Sequence, residues 1–121
     1  MTRFIDNQDN TVTDTQTKLT WSKNTLAIDV DHEAAKAKVA ELGEGWRLPT
    51  VAELFSLVDH AKHGPAIDTE VFADTENDWY WTDTKCTWND AAVWVVAFSS
   101  GSVDGIHRGN GACVRAVRSS Q

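Results

Sequence analysis

The stretch Ala91-Ala-Val-Trp-Val-Val-Ala-Phe98 constrains the fold more than any other part of the chain. It is apolar at both alternating sets of positions, so a strand formed here has no face to give to water. A chain of 121 residues with 41% apolar content has enough apolar material to cover such a strand on both sides within one compact domain, residues 1–121. No apolar run is long enough to cross a bilayer, which excludes insertion as a membrane helix.

The neighbouring segments say how that strand is continued. Ser99-Ser-Gly-Ser102 is a turn in which Gly101 is free to take positive φ. SVDGIH then reads as a returning strand and ACVRAVR as a final one. At the other end of the chain, FIDNQDNTVTDTQTKLTW reads as a hairpin or meander of short Thr/Val-rich pieces separated by Asn/Asp turns. Thr11, Thr13 and Thr15 alternate with Val12 and Asp14, as on a half-exposed edge, and Trp21 offers a large apolar body to the core.

Two helices lie between these strands. In DHEAAKAKVAELGEG, Asp31 is an N-cap, Glu33 suits the positive end of the helix dipole and Gly43 is a stop. Ala35, Val39 and Leu42 share one narrow face at helical spacing, which predicts close packing on a sheet. In GWRLPTVAEL, Thr50 and Glu53 have the spacing of a capping box, and Pro49 forces Leu48 to be extended. Val51, Leu54, Phe55 and Val58 then make one apolar face, with Trp46 and Leu48 packed beneath. The polar loop HAKHGPAIDTEVF returns to the body through Ile67, Val71 and Phe72. Strands, two helices, then strands: the expected class is α+β, with mainly antiparallel pairing.

Charge and chemistry narrow the function. The net charge is −7, and the stretch Pro65–Asp90 holds seven acidic side chains against one basic, a net of −6. This argues against a nucleic-acid partner. The same stretch carries Trp79, Tyr80, Trp81 and Trp88. Aromatic faces with neighbouring carboxylates suit a glycan or a peptide, and Trp88, in a loop, is the better candidate; Trp79 and Trp81, two apart, share one strand face and also suit a core. Cys86 and Cys113 allow one disulfide at most and have no zinc-ligand spacing. The histidines His32, His60, His63 and His107 form no HExxH pattern, and no serine sits in a nucleophile elbow. Nothing requires catalysis. The N-terminal MTRFIDNQDN has neither the apolar segment nor the cleavage site of a secretory signal.

Taken together, FIDNQDNTVTDTQTKLTW, GWRLPTVAEL, YWTDT, AAVWVVAFSSGSV and CVRAVR resemble one bacterial and phage domain family. It is the family that includes the C-terminal domain of the Legionella collagen-like adhesin, and the resemblance runs from Phe4 to Arg118. It implies a C-type-lectin-like fold, with two helices packed on a mixed, mainly antiparallel sheet and both termini close together. It also implies a binding module for a glycan or protein receptor, as in adhesins and phage receptor-binding proteins. The location would then be a cell or virion surface, or the cytoplasm if the chain is a complete product.

Residue by residue, the resemblance implies that Trp81 is structural. It implies that Arg47 and Arg115 are scaffold residues paired with carboxylates or carbonyls, alongside Trp46, Thr50 and Glu53. It implies that Asp104, His107, Arg108 and Asn110, before the final strand, contact a partner. Trp88-Asn89-Asp90 resembles the calcium triplet of C-type lectins, with Asn89 and Asp90 as metal ligands. Calcium needs ~6–8 oxygens, however, and the companion Glu-Pro-Asn or Gln-Pro-Asp segment of those lectins is absent. The ligand face expected from all this is Trp79, Trp88, Asn89, Asp90, Asp104, His107, Arg108 and Asn110. The alternative is a small acidic intracellular protein, of the kind a phage encodes, that binds and inhibits a host protein.

Overall fold

The computed structural model describes residues 3–43, 45–62, 64–87 and 89–119; the side chains of Asn89 and Asp90 are outside that description. The expectations for Trp88 and His63 fall on residues outside it as well. The element order is β1 (Phe4–Asp6), β2 (Thr11–Asp14), β3 (Leu19–Ser22), β4 (Ala27–Val30), α1 (His32–Ala40) and α2 (Val51–Phe55). It continues through β5 (Trp79–Cys86), β6 (Asn89–Ala97), β7 (Ser102–His107), β8 (Ala112–Val114) and β9 (Val117–Ser119).

The class is α+β. The strands make two sheets rather than the one expected: a four-stranded antiparallel sheet, β1-β2-β3-β9, and a five-stranded sheet, β4-β8-β5-β6-β7. In the second sheet only β5 and β8 run parallel. The segment expected as one final strand is split into β8 and β9, which belong to different sheets. β1 and β9 share a sheet, separated by β2 and β3.

β6 is covered on both sides, as its sequence demands. Tyr80, Val96 and Cys113 point to a core shared with Trp21, Val12 and Val117 of the first sheet, Leu54 and Leu57 around α2, and Ile67 and Phe72 of the long loop. Trp81, Val93, Val95, Ala112 and Val114 point the other way, to a second core closed by Ala35 and Val39 of α1 and by Leu48. The period-2 alternation of the strands therefore assigns each neighbouring residue to a different core.

Both helix starts follow their sequence signals. Asp31 caps α1 by accepting from the Ala34 N–H at 2.8 Å. Thr50 and Glu53 complete the capping box at 3.2 and 2.9 Å. Two side chains depart from expectation. Leu42 lies beyond the end of α1 and is 41% exposed, and Phe55 is 39% exposed while Leu57 takes the core position. The second helix has five residues; Val51, Leu54 and Val58 of the expected face pack on the first core, and Phe55 alone turns outward.

The arginines hold the frame together. Arg47 grips Glu53 through two hydrogen bonds of 2.6 and 2.8 Å, and its backbone exchanges two 2.9 Å hydrogen bonds with Val117. The hydrogen bonds from Arg47, opposed by partial burial, hold the Glu53 carboxyl below the usual glutamate range. Arg115 is fully buried; it donates to the Ser22 and Lys23 carbonyls, both at 2.8 Å, and to Thr75 Oγ1 at 2.9 Å. Arg115 thus ties the end of β3 to the acidic loop. Asp14 is fully buried and paired with Arg3 at 3.0 and 2.8 Å, a contact with no local signal in the chain.

Cys86 and Cys113 are both buried free thiols, so the disulfide considered from sequence does not form. Cys113 lies opposite Tyr80 on β5. Cys86 is six positions further along that strand, a separation of roughly 20 Å at the rise of a β-strand, well outside the ~7 Å Cα limit for bridging.

Candidate functional site

The expected ligand face divides in two. β5, β6 and β7 form consecutive hairpins, so their ends alternate between the two margins of the sheet. Trp79 lies opposite Ala97, and Ala97 opposite Ser102, at one margin; Cys86 lies opposite Asn89, and Ala92 opposite His107, at the other. The second margin therefore gathers Asn89, Asp90, His107, Arg108 and Asn110. Asp104 is exposed midway along the edge strand β7, opposite Val95.

Trp79 is thus separated from the rest by the length of β5. It is half-buried and packs against the second core, beside fully buried Trp81. Trp81 Nε1 donates to the Val30 carbonyl at 2.8 Å, which satisfies its polar atom. Trp81 is structural, and Trp79 shares its packing.

The turn at residues 107–111 has a fixed backbone and exposed side chains. The Arg108 N–H donates to the Ala91 carbonyl at 2.8 Å, and the Arg108 carbonyl accepts from the His32 N–H at 3.0 Å. The loop is therefore fastened to β6 on one side and to the start of α1 on the other. Within it, the Asn110 N–H donates to the His107 carbonyl at 2.9 Å, and Gly109 N–H donates to His107 Nδ1 at 2.9 Å. In the neutral ring this leaves the proton on Nε2. Gly111 seats the far end: a Cβ there would stand 1.9 Å from Asp29 Oδ1. The side chains of His107, Arg108 and Asn110 all remain exposed.

His32, which sequence reasoning left unassigned, supports this margin from below. It is 5% exposed, its Nε2 is 3.0 Å from the Thr82 carbonyl, and its ring meets the Trp81 ring edge-on at 5.1 Å. Exposed Asp83 stands 4.0 Å away. A histidine directly after a helix cap gave no sequence signal for such a role.

For a metal, the described residues contain no group of three or more His, Cys, Asp or Glu side chains placed to hold an ion. Asn89 and Asp90 are at the start of β6, and the calcium expectation rests on their side chains, which lie outside the described residues.

The fold is a two-sheet α+β scaffold, with the turn at residues 107–111 pinned by its backbone and bearing exposed polar side chains. The chain belongs to the Lcl C-terminal domain family, whose model matches residues 10–118. That membership points to an adhesin-like domain. No curated protein matches the chain in sequence.

Proposed function

We propose that this chain is a non-enzymatic recognition module on a C-type-lectin-like scaffold. It binds a glycan or protein receptor through the margin formed by residues 89–90 and 107–111. The observation that carries the reading is the doubly anchored turn. A loop whose backbone is already fixed loses little conformational freedom on binding, so contacts made by His107, Arg108 and Asn110 convert efficiently into affinity. Family membership supports the adhesin-like character, and the net charge of −7 opposes nucleic acid as a ligand.

The test is a combined His107→Ala, Arg108→Ala, Asn110→Ala variant, compared with the parent on arrayed glycans and on intact host cells. Because all three side chains are exposed, the melting temperature should stay within a few degrees while binding falls at least tenfold. Undiminished binding by the variant would refute the site. Repeating the binding with EDTA asks whether Asn89 and Asp90 recruit calcium; a metal-dependent signal that also raises the melting temperature would establish it. Capture of one stoichiometric cytosolic protein, with no surface binding, would favour an intracellular inhibitor instead.

A further inference from the structure

The opposite end of α1 holds a second concave surface. The β1–β2 turn, the β3–β4 connection and the segment after α1 surround a cleft of about 390 Å³. Its lining includes Asp9, Asn10, Asn24, Leu26, Leu42 and Trp46. The volume is in the ~300–1,000 Å³ range of small-molecule sites. α1 has nine residues, so its two ends are about 14 Å apart at the helical rise, and this cleft is distinct from the strand-end margin.

Two large apolar side chains give the cleft its apolar wall. Leu42 does not join Ala35 and Val39 in the core but stands 41% exposed at the cleft wall. Trp46 is only half-buried, with the Arg118 guanidinium 5.1 Å from its ring centroid. Opposite these apolar surfaces are the exposed side chains of Asp9, Asn10 and Asn24.

The polar rim is held in place before any ligand arrives. Asp9 Oδ1 accepts from the Thr11 N–H at 3.1 Å, and the Lys23 N–H donates to the Asn10 carbonyl at 2.9 Å. Thr11 and Ser22, also at the cleft, lie opposite each other in the β2–β3 ladder. These bonds couple the turn carrying Asp9 and Asn10 to the connection carrying Asn24.

We propose that this cleft is a binding site for a neutral saccharide. A sugar ring presents C–H groups that suit the indole and leucine surfaces, and hydroxyl groups that pair with two amides and a carboxylate. Asp9 and the net charge of −7 disfavour an anionic glycan. A peptide added as a strand to β2 or β3 is disfavoured because both strands, which bring Thr11 and Ser22 to the cleft, are already flanked on either side. This inference does not rest on the strand-end reading and can fail separately from it.

The experiment is saturation-transfer NMR followed by calorimetry on the whole chain, using maltotriose, cellotriose, chitotriose and mannotriose, with sialyllactose and a heparin tetrasaccharide as anionic comparisons. At least one neutral trisaccharide should bind saturably. Asn24→Ala and Asp9→Asn should each weaken it about three- to tenfold, the loss expected for one hydrogen bond, and Leu42→Ala should weaken it too. Trp46 also packs on the second core, so these exposed positions carry the test, with melting curves showing that each variant stays folded. The strand-end triple variant should bind the trisaccharide as the parent does. The proposal is overturned if no neutral saccharide binds, if only the anionic ones do, if binding survives both Asn24→Ala and Leu42→Ala, or if the strand-end variant abolishes it.

Discussion

Replacing Arg115 with alanine tests the physical account of the frame most directly. The wild-type guanidinium is fully buried, lies 4.7 Å from the Phe72 ring centroid and 5.6 Å from that of Tyr80, and has Asp74 Oδ1 at 3.8 Å. Burial pushes its pKa below the ordinary arginine range, opposed by the nearby Tyr80 and Asp74. Alanine strands the Ser22 and Lys23 carbonyls, at about 1–3 kcal/mol for each buried acceptor left unpaired. It also opens a cavity beneath Phe72 and Tyr80. The release of a buried charge offsets part of this, so a net loss of about 3 kcal/mol is expected, at the low end for breaking a buried ionic network. A domain of this length has roughly 6–18 kcal/mol in total, and a 3 kcal/mol loss corresponds to a fall of about 10 °C in melting temperature. Urea unfolding followed by tryptophan fluorescence measures it. Arg115→Met separates the contributions, because it retains an apolar stem against both rings but makes no hydrogen bonds. If Arg115→Ala unfolds within 1 kcal/mol of the parent, the hydrogen bonds merely repay desolvation and the clamp argument is wrong.

Three further outcomes follow from other parts of the structure. Because the Glu53 carboxyl is held below its ordinary value of 4.5, its contribution to stability is present above that pH and is lost as pH falls through the depressed folded value; the gap between parent and Glu53→Gln in urea melts at pH 3 to 7 should therefore close at the acid end, and a constant gap would contradict the Arg47 pairing. Burial pushes the Cys113 thiol up to about 12, and Cys86 is 2% exposed, so a thiol reagent at pH 8 should label neither in the native chain and both in denaturant without reductant; absence of labelling in denaturant would reveal a disulfide. Gly111→Ala meets the carboxylate end of the exposed Asp29 side chain, so it should cost about 1 kcal/mol or less, the low end for overpacking, and Asp29→Gly should remove that cost; a loss above about 3 kcal/mol would show that the backbone of Asp29, and not its carboxylate, blocks the position.

The parts of the fold that depend on local chemistry were legible in the chain. Asp31 and the Thr50–Glu53 pair act over three or four residues, and the doubly apolar pattern of Ala91–Phe98 demands cover on both faces whatever the topology. What the sequence could not convey is how distant pieces divide among sheets. Val114 and Val117 sit in one short apolar run, yet the two residues between them carry the chain from one sheet to the other. Asp14 shares the buried alternating set with Val12, but its partner, Arg3, reaches it only after β1 and β2 pair. The grouping expected for the candidate site survived in part for the same reason. His107, Arg108 and Asn110 are neighbours along the chain and stayed together, whereas Trp79 was grouped with Trp88 by proximity in sequence, and an eight-residue strand then carried it to the opposite margin.

The crossing at Arg115–Ala116 also bears on how such a chain is made. β8 completes one sheet by pairing with β4 and β5, and β9 completes the other by pairing with β3, almost a hundred residues upstream. Neither sheet has all its strands until this final segment has been synthesised, and contacts of such long range close slowly. A nascent chain emerging from the ribosome therefore passes through most of its length with the β3 edge unpaired and both cores open, and it is the interval before β9 arrives that exposes it to misassembly.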